Sequence, residues 1–160
     1  MSRSTVRFVL AVVVLLGCAA AFAPAPAAAQ TGGPFQYFAV TPCRAVDTRN
    51  AAGTDGGPKI GANQPARNFQ IQGVCGVPVG AKAVTINVTI VQPSSSGFLT
   101  LWPSGGSQPV VSTIDFAATD TSLANGAIVP LSSSTDDLSV FMGGGTGTTH
   151  VLIDVTGYFM

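Results

Sequence analysis

Residues 83–91 alternate strictly: Val84, Ile86, Val88 and Ile90 fall on one side, and Thr85, Asn87 and Thr89 on the other. A period of two sustained this long predicts a strand with one buried face and builds no apolar stripe on a helix. Residues 150–159 repeat the pattern, with Val151, Ile153, Val155 and Phe159 on one side. Shorter candidates lie at 35–40, 45–48, 67–72, 98–102, 110–116, 124–131 and 138–142. Breakers separate them: Gly56-Gly57-Pro58, Gly76-Val77-Pro78, Pro93 to Gly97, Pro103 to Gly106 and Gly143 to Gly145. Such spacing predicts an all-β fold, a single antiparallel β-sandwich of jelly-roll type with about eight or nine short strands. Strand order does not follow from the pattern.

The chain opens differently. Arg3 and Arg7 precede an uncharged apolar run over residues 8–29, which ends in Ala27-Ala28-Ala29. A basic lead, an apolar run and a small-residue exit predict a secretory signal peptide over residues 1–29, cut after Ala29. Leu15-Leu16-Gly17-Cys18 approximates a lipobox, so an alternative is a lipoprotein anchored through Cys18; an uncleaved anchor is the third. Residues 30–34 then form a flexible lead, and 35–160 a single domain. The expected location is extracellular or periplasmic.

Beyond the signal the chain keeps five cationic side chains against seven aspartates, a net charge of −2, and contains no glutamate. That balance gives no basic footprint for nucleic acid, and membrane contact is expected only through a lipidated Cys18. Cys43 and Cys75 remain as an isolated pair in an oxidising compartment, which predicts a disulfide.

Several of these residues also carry a resemblance. Pro42-Cys43-Arg44-Ala45-Val46-Asp47-Thr48-Arg49 resembles the opening motif, P-C-R-x-x-D-T-R, of a family of exported bacterial β-domains. Val74 to Pro78, Gly80 to Val84, Asn87 to Thr89, Gly97 to Pro103, Ala124-Asn125 and Asp154 to Phe159 follow in the family's order. The resemblance implies secreted or surface modules, sometimes appended to larger envelope proteins, and brings no activity with it.

Arg44, Asp47 and Arg49 are the densest charges in a chain with only 9% charged residues. In an extended segment Asp47 and Arg49 point to one side and Arg44 to the other. They are expected either to lock strands together, with Asp154 or Asp115 as further partners, or to grip an anionic ligand. Asn50 and Asp55 are a calcium candidate on composition alone, in a stretch that suits an ordinary turn equally well. His150 is the single histidine, so a hydrolase would have to use it; Asp154, four residues on, lies about 13 Å away along a strand. It is expected at a strand edge. No Gly-x-Ser-x-Gly elbow or distinguished carboxylate pair accompanies it.

Trp102, Tyr37 and Tyr158 are candidates for a glycan platform. Trp102 shares its side of a strand with Phe98 and Thr100, opposite Leu99 and Leu101, so one of the two faces must be covered by loops or a partner. Asn87-Val88-Thr89 spells a glycosylation acceptor in mid-strand. The string Ile-Asp-Val-Thr at 153–156 echoes Ile86 to Thr89; the two strands are either neighbours, with Asn87 near Asp154, or alike through β-rich composition. The function expected is a non-enzymatic secreted or cell-surface module for interaction, adhesion or envelope assembly. No cofactor is expected, and the partner is an unidentified envelope, glycan or protein component. The alternatives are a carbohydrate-binding module and a secreted hydrolase.

Overall fold

The structure, a computed structural model, describes residues 33–160. The signal segment, its Ala29 cut and the Cys18 lipobox lie outside the described residues, as does most of the 30–34 lead. Among the described residues no helix is long and apolar enough to cross a membrane.

Among the described residues nine strands follow one another: β1 (Tyr37–Asp47), β2 (Ile60–Gly61), β3 (Arg67–Phe69), β4 (Ala83–Val91), β5 (Gly97–Pro103), β6 (Ile114–Phe116), β7 (Ser122–Pro130), β8 (Leu138–Gly143) and β9 (Thr148–Phe159). They form two antiparallel sheets. One has the order β1-β9-β4-β7 with β2 pairing β9; the other has the order β3-β8-β5-β6. The alternation in β4 and β9 aims Val84, Val88, Ile90, Val151, Ile153 and Val155 inward, all fully buried. Phe69, Leu99, Leu138, Val140 and Met142 meet them from the second sheet, also fully buried. Each such side chain contributes roughly 1.5–3 kcal/mol through removal from water, so the sandwich is held mainly by this shared layer.

The ends of strands depart from the sequence pattern for identifiable reasons. Segments 35–40 and 45–48 are one strand, β1, carried across two irregularities in its pairing with β9. The expected strand 67–72 stops at Phe69, because the amides of Ile71 and Gln72 donate to the Asp137 carboxylate instead of a ladder. The expected strand 110–116 shrinks to Ile114–Phe116, and Val110 and Val111 stand in the loop before it. Phe159 is not on the core face. A bulge at Thr156 inserts one residue, so Gly157 pairs Thr85 and Phe159 pairs Ala83 on the outer face, while Tyr158 turns inward.

That bulge also explains a bare patch of backbone. The Tyr37 ring lies over Gly157, where an added Cβ would fall 2.3 Å from its hydroxyl. The second sheet uses the same device: Phe98 lies over Gly143, and a Cβ there would fall 2.2 Å from its ring. In each sheet an outer-face aromatic covers a glycine on the adjacent strand.

Candidate functional site

β9 is the middle of the first sheet, and it organises the charged cluster. Its Asp154 sits opposite Arg44 of β1 and opposite Asn87 of β4. The echo between the two Asx-Val-Thr strings therefore marks true neighbours. Asn87 reaches Thr89 Oγ1 at 3.4 Å rather than Asp154; it lies half-buried in mid-sheet with strands on both sides.

Arg44 takes Asp154 in a two-pronged grip, Nε to Oδ1 at 2.7 Å and Nη2 to Oδ2 at 3.0 Å. Its Nη1 stands 3.4 Å from Asp47 Oδ2. Arg49 grips Asp47 in the same forked way, at 2.9 and 2.7 Å, and its amide donates to Oδ1 at 3.1 Å. Arg44 therefore does not point away from Asp47, as simple alternation required. The extra residue Ala45 between the Arg44–Asp154 and Val46–Ile153 pairs restores both charges to one face. Asp115, the other proposed partner, is in the opposite sheet and accepts from Ser112 Oγ at 2.7 Å.

Two guanidinium and two carboxylate groups thus neutralise one another over the outer face, beside a shallow hollow of ≈ 480 Å³ lined also by Asn50, Thr54 and Asp55. The Arg49 hydrogen bonds, its amide, and the charges of both arginines hold the Asp47 carboxyl at about 2, against burial, which pushes it up. A lowered carboxyl makes stability that is complete above its ordinary 3.8 and is lost as pH falls through about 2. Asp47→Asn is expected to lower stability at neutral pH by about 1–2 kcal/mol, since half-exposed arginines leave the pairs partly screened. It is also expected to flatten the decline between pH 4 and pH 2, as urea titrations across that window will show. Unchanged acid sensitivity would refute the assignment.

Asn50 and Asp55 border the same hollow, and the hydrogen bonds there are those of a turn. Asp55 Oδ1 accepts the Gln70 amide at 3.3 Å, and the Asn50 carbonyl accepts the Gly57 amide at 3.1 Å. No group of three or more Asp, Glu, His or Cys side chains suited to a metal occurs among the described residues. Their turn is instead clamped by Arg67, which donates to the carbonyls of Gly53 (2.6 Å), Gly57 (3.0 Å) and Pro58 (3.0 Å) and stacks 4.8 Å over Phe69. Sequence reading gave Arg67 no role; a lone arginine in a short strand carries no local sign that it will collect carbonyls.

His150 is not at a sheet edge. It pairs Val91 within the first sheet, and its Nδ1 lies 3.0 Å from the Thr48 carbonyl and 3.2 Å from Thr48 Oγ1. Among the described residues no carboxylate and no serine hydroxyl bonds to its ring.

The three platform aromatics are dispersed. Trp102 belongs to the second sheet, is buried, and donates its indole N–H to the Gly106 carbonyl at 3.1 Å. Tyr37 and Tyr158 lie in the first sheet on opposite faces: Tyr37 meets Phe159 outside, and Tyr158 stacks on Phe38. The loop after β5 covers part of the second face, where Thr100 Oγ1 donates to the Val111 carbonyl.

That covering is incomplete, and it leaves a surface the sequence did not single out. Phe98, Thr100, Gln108, Val110, Val111 and Asp115 border a hollow of ≈ 470 Å³ on the outer face of the second sheet. Val110 is fully exposed and Val111 is 64% exposed. The sequence signal available was Val110-Val111 itself, which reads as strand and is used as loop. Comparison with protein-family models, with curated proteins and with solved structures finds no match to this chain.

Proposed function

We propose that this chain is an exported, non-enzymatic β-sandwich module that acts by binding, at a cell surface or in the extracellular space. One observation carries the reading: two adjacent loop valines stand in water beside Phe98, around an open hollow, in a fold that buries Val46, Val84, Val88, Val129, Val140, Val151 and Val155. Exposed apolar side chains grouped with polar ones mark contact surfaces. The arginines that could grip an anion are already spent on Asp47 and Asp154. The Cys43–Cys75 disulfide is compatible with an extracellular or periplasmic location, and the P-C-R-x-x-D-T-R resemblance supports export. Consecutive segments cross between the sheets so that 1-9-4-7 faces 3-8-5-6, which supports the jelly-roll form of the sandwich.

A carbohydrate ligand is the second reading, favoured by the aromatic Phe98 beside the polar Gln108, Ser112 and Asp115 in the same hollow. Binding to isolated bacterial envelopes and to a glycan array tests both. Val110→Asp with Val111→Asp is expected to weaken binding at least about tenfold, corresponding to about 1.4 kcal/mol, with thermal stability unchanged. Envelope binding without glycan binding leaves the general reading; equal binding by the double variant overturns the assignment of the surface.

A further inference from the structure

The first sheet ends on β7, and this edge differs from the other three. β1 is interrupted by two pairing irregularities and carries Arg44, Asp47 and the Cys43 bridge. β3 and β6 are three residues each and carry Arg67 and Asp115. Bulges, charges and shortness are the means by which sheets avoid pairing with one another. β7 has none of them. It runs nine residues in unbroken register with β4, contains no charge, and meets a proline only at its last position. Its residues 122–126 are exposed, as is Ile128 at 63%. An edge strand turns the N–H and C=O of every second residue outward, so β7 offers a row of main-chain partners.

Gly126, at its centre, supplies the second observation. Glycine weakens a strand interior and usually marks a bulge, a strained turn or a close approach. Gly126 pairs Asn87 with no bulge, has no positive φ, and an added Cβ would meet nothing within 4 Å. Nothing in this chain's own fold requires it. From the inner side, Asn125 Nδ2 holds the strand in place by donating to the Thr113 carbonyl at 2.7 Å.

We propose that β7 pairs antiparallel with β7 of a second copy, giving a two-fold dimer in which one sheet runs through both. This rests on the interaction-module reading and specifies its assembly. Full overlap of the two strands places Gly126 on the axis, opposite its counterpart. Leu123 then faces Val129 and Ala124 faces Ile128, with side-chain parity preserved so that each pair lies on one face of the joined sheet. Ile128 and Leu123, two of the exposed large apolar side chains, are covered. An antiparallel strand pair is self-complementary, so the contact closes at two copies.

Sedimentation velocity on the full chain, from micromolar to submillimolar concentration, tests this. The parent is expected to move from monomer to dimer. Gly126→Lys and Gly126→Asp, each bringing like charges face to face at the axis, are expected to remain monomeric. An equimolar mixture of the two is expected to dimerise again, a result that misfolding cannot imitate. A parent that stays monomeric, open-ended polymers, a dimerising Gly126→Lys, or a mixture that fails to associate each overturns the proposal. These outcomes are independent of ligand binding at Val110 and Val111, so either reading can fail alone.

Discussion

Cys43→Ser is expected to lower the unfolding free energy by about 3–4 kcal/mol, the value that loop-closure entropy assigns to a bridge of this span. The two cysteines are 32 residues apart in sequence and 5.5 Å apart at Cα. Cys43 lies in β1, at the edge of the first sheet, and Cys75 lies in the connection that follows β3 of the second. The bond therefore ties the edge strand β1 to the β3–β4 connection, a link that no main-chain ladder supplies. In a domain whose whole stability is on the order of 5–15 kcal/mol, that is a large fraction. Denaturant unfolding of parent and variant under oxidising conditions measures it, and reduction of the parent should reproduce the loss. A variant that unfolds at the parent's midpoint would show the bridge to be energetically idle.

Asp137→Ala is expected to cost about 3 kcal/mol. Asp137 is fully buried, and its two carboxylate oxygens accept the amides of Ile71 at 3.0 Å and Gln72 at 2.7 Å. Burial pushes this carboxyl up, and the two amides draw it back down. Truncation would leave two buried N–H groups without partners, each costing on the order of 1–3 kcal/mol. Asp137→Asn keeps one acceptor and turns an N–H₂ toward a donor, so it should fall between parent and alanine. Hydrogen exchange at the Ile71 and Gln72 amides should accelerate in both variants. A loss under about 1 kcal/mol for the alanine variant would mean that water replaces the carboxylate, contrary to the burial seen here.

Alternation in residues 83–91 and 150–155 was enough to read β4 and most of β9, because each side chain there follows the pleat. The class of fold followed from the spacing of strands and breakers, and the disulfide from Cys43 and Cys75 being an isolated pair. Parity failed wherever a strand gained a residue. Nothing in Ala45 or Thr156 marks it as the inserted residue; only pairing with a distant partner does. The charged cluster was legible as a composition, whereas its common face was not. The pairing of Asn87 with Asp154 left a trace in the repeated string, yet β-rich sequence produces such echoes without contact. Asp137 gave no signal at all. Its role depends on two amides more than sixty residues away in sequence. The hollow beside Phe98 was hidden for a related reason: Val110 and Val111 have strand propensity, yet they stand in the loop before β6, where the Val111 carbonyl accepts from Thr100 eleven residues away.

The account stands on β9 lying between β1 and β4, since that placement joins Arg44 to Asp154, aligns Asn87 with it, and leaves β7 as the free edge. Nuclear Overhauser contacts from the backbone protons of Asp154 test it directly. Contacts to Arg44 on one side and to Asn87 on the other are predicted. Contacts from Asp154 to strands of the second sheet, or to only one of these two neighbours, would contradict it.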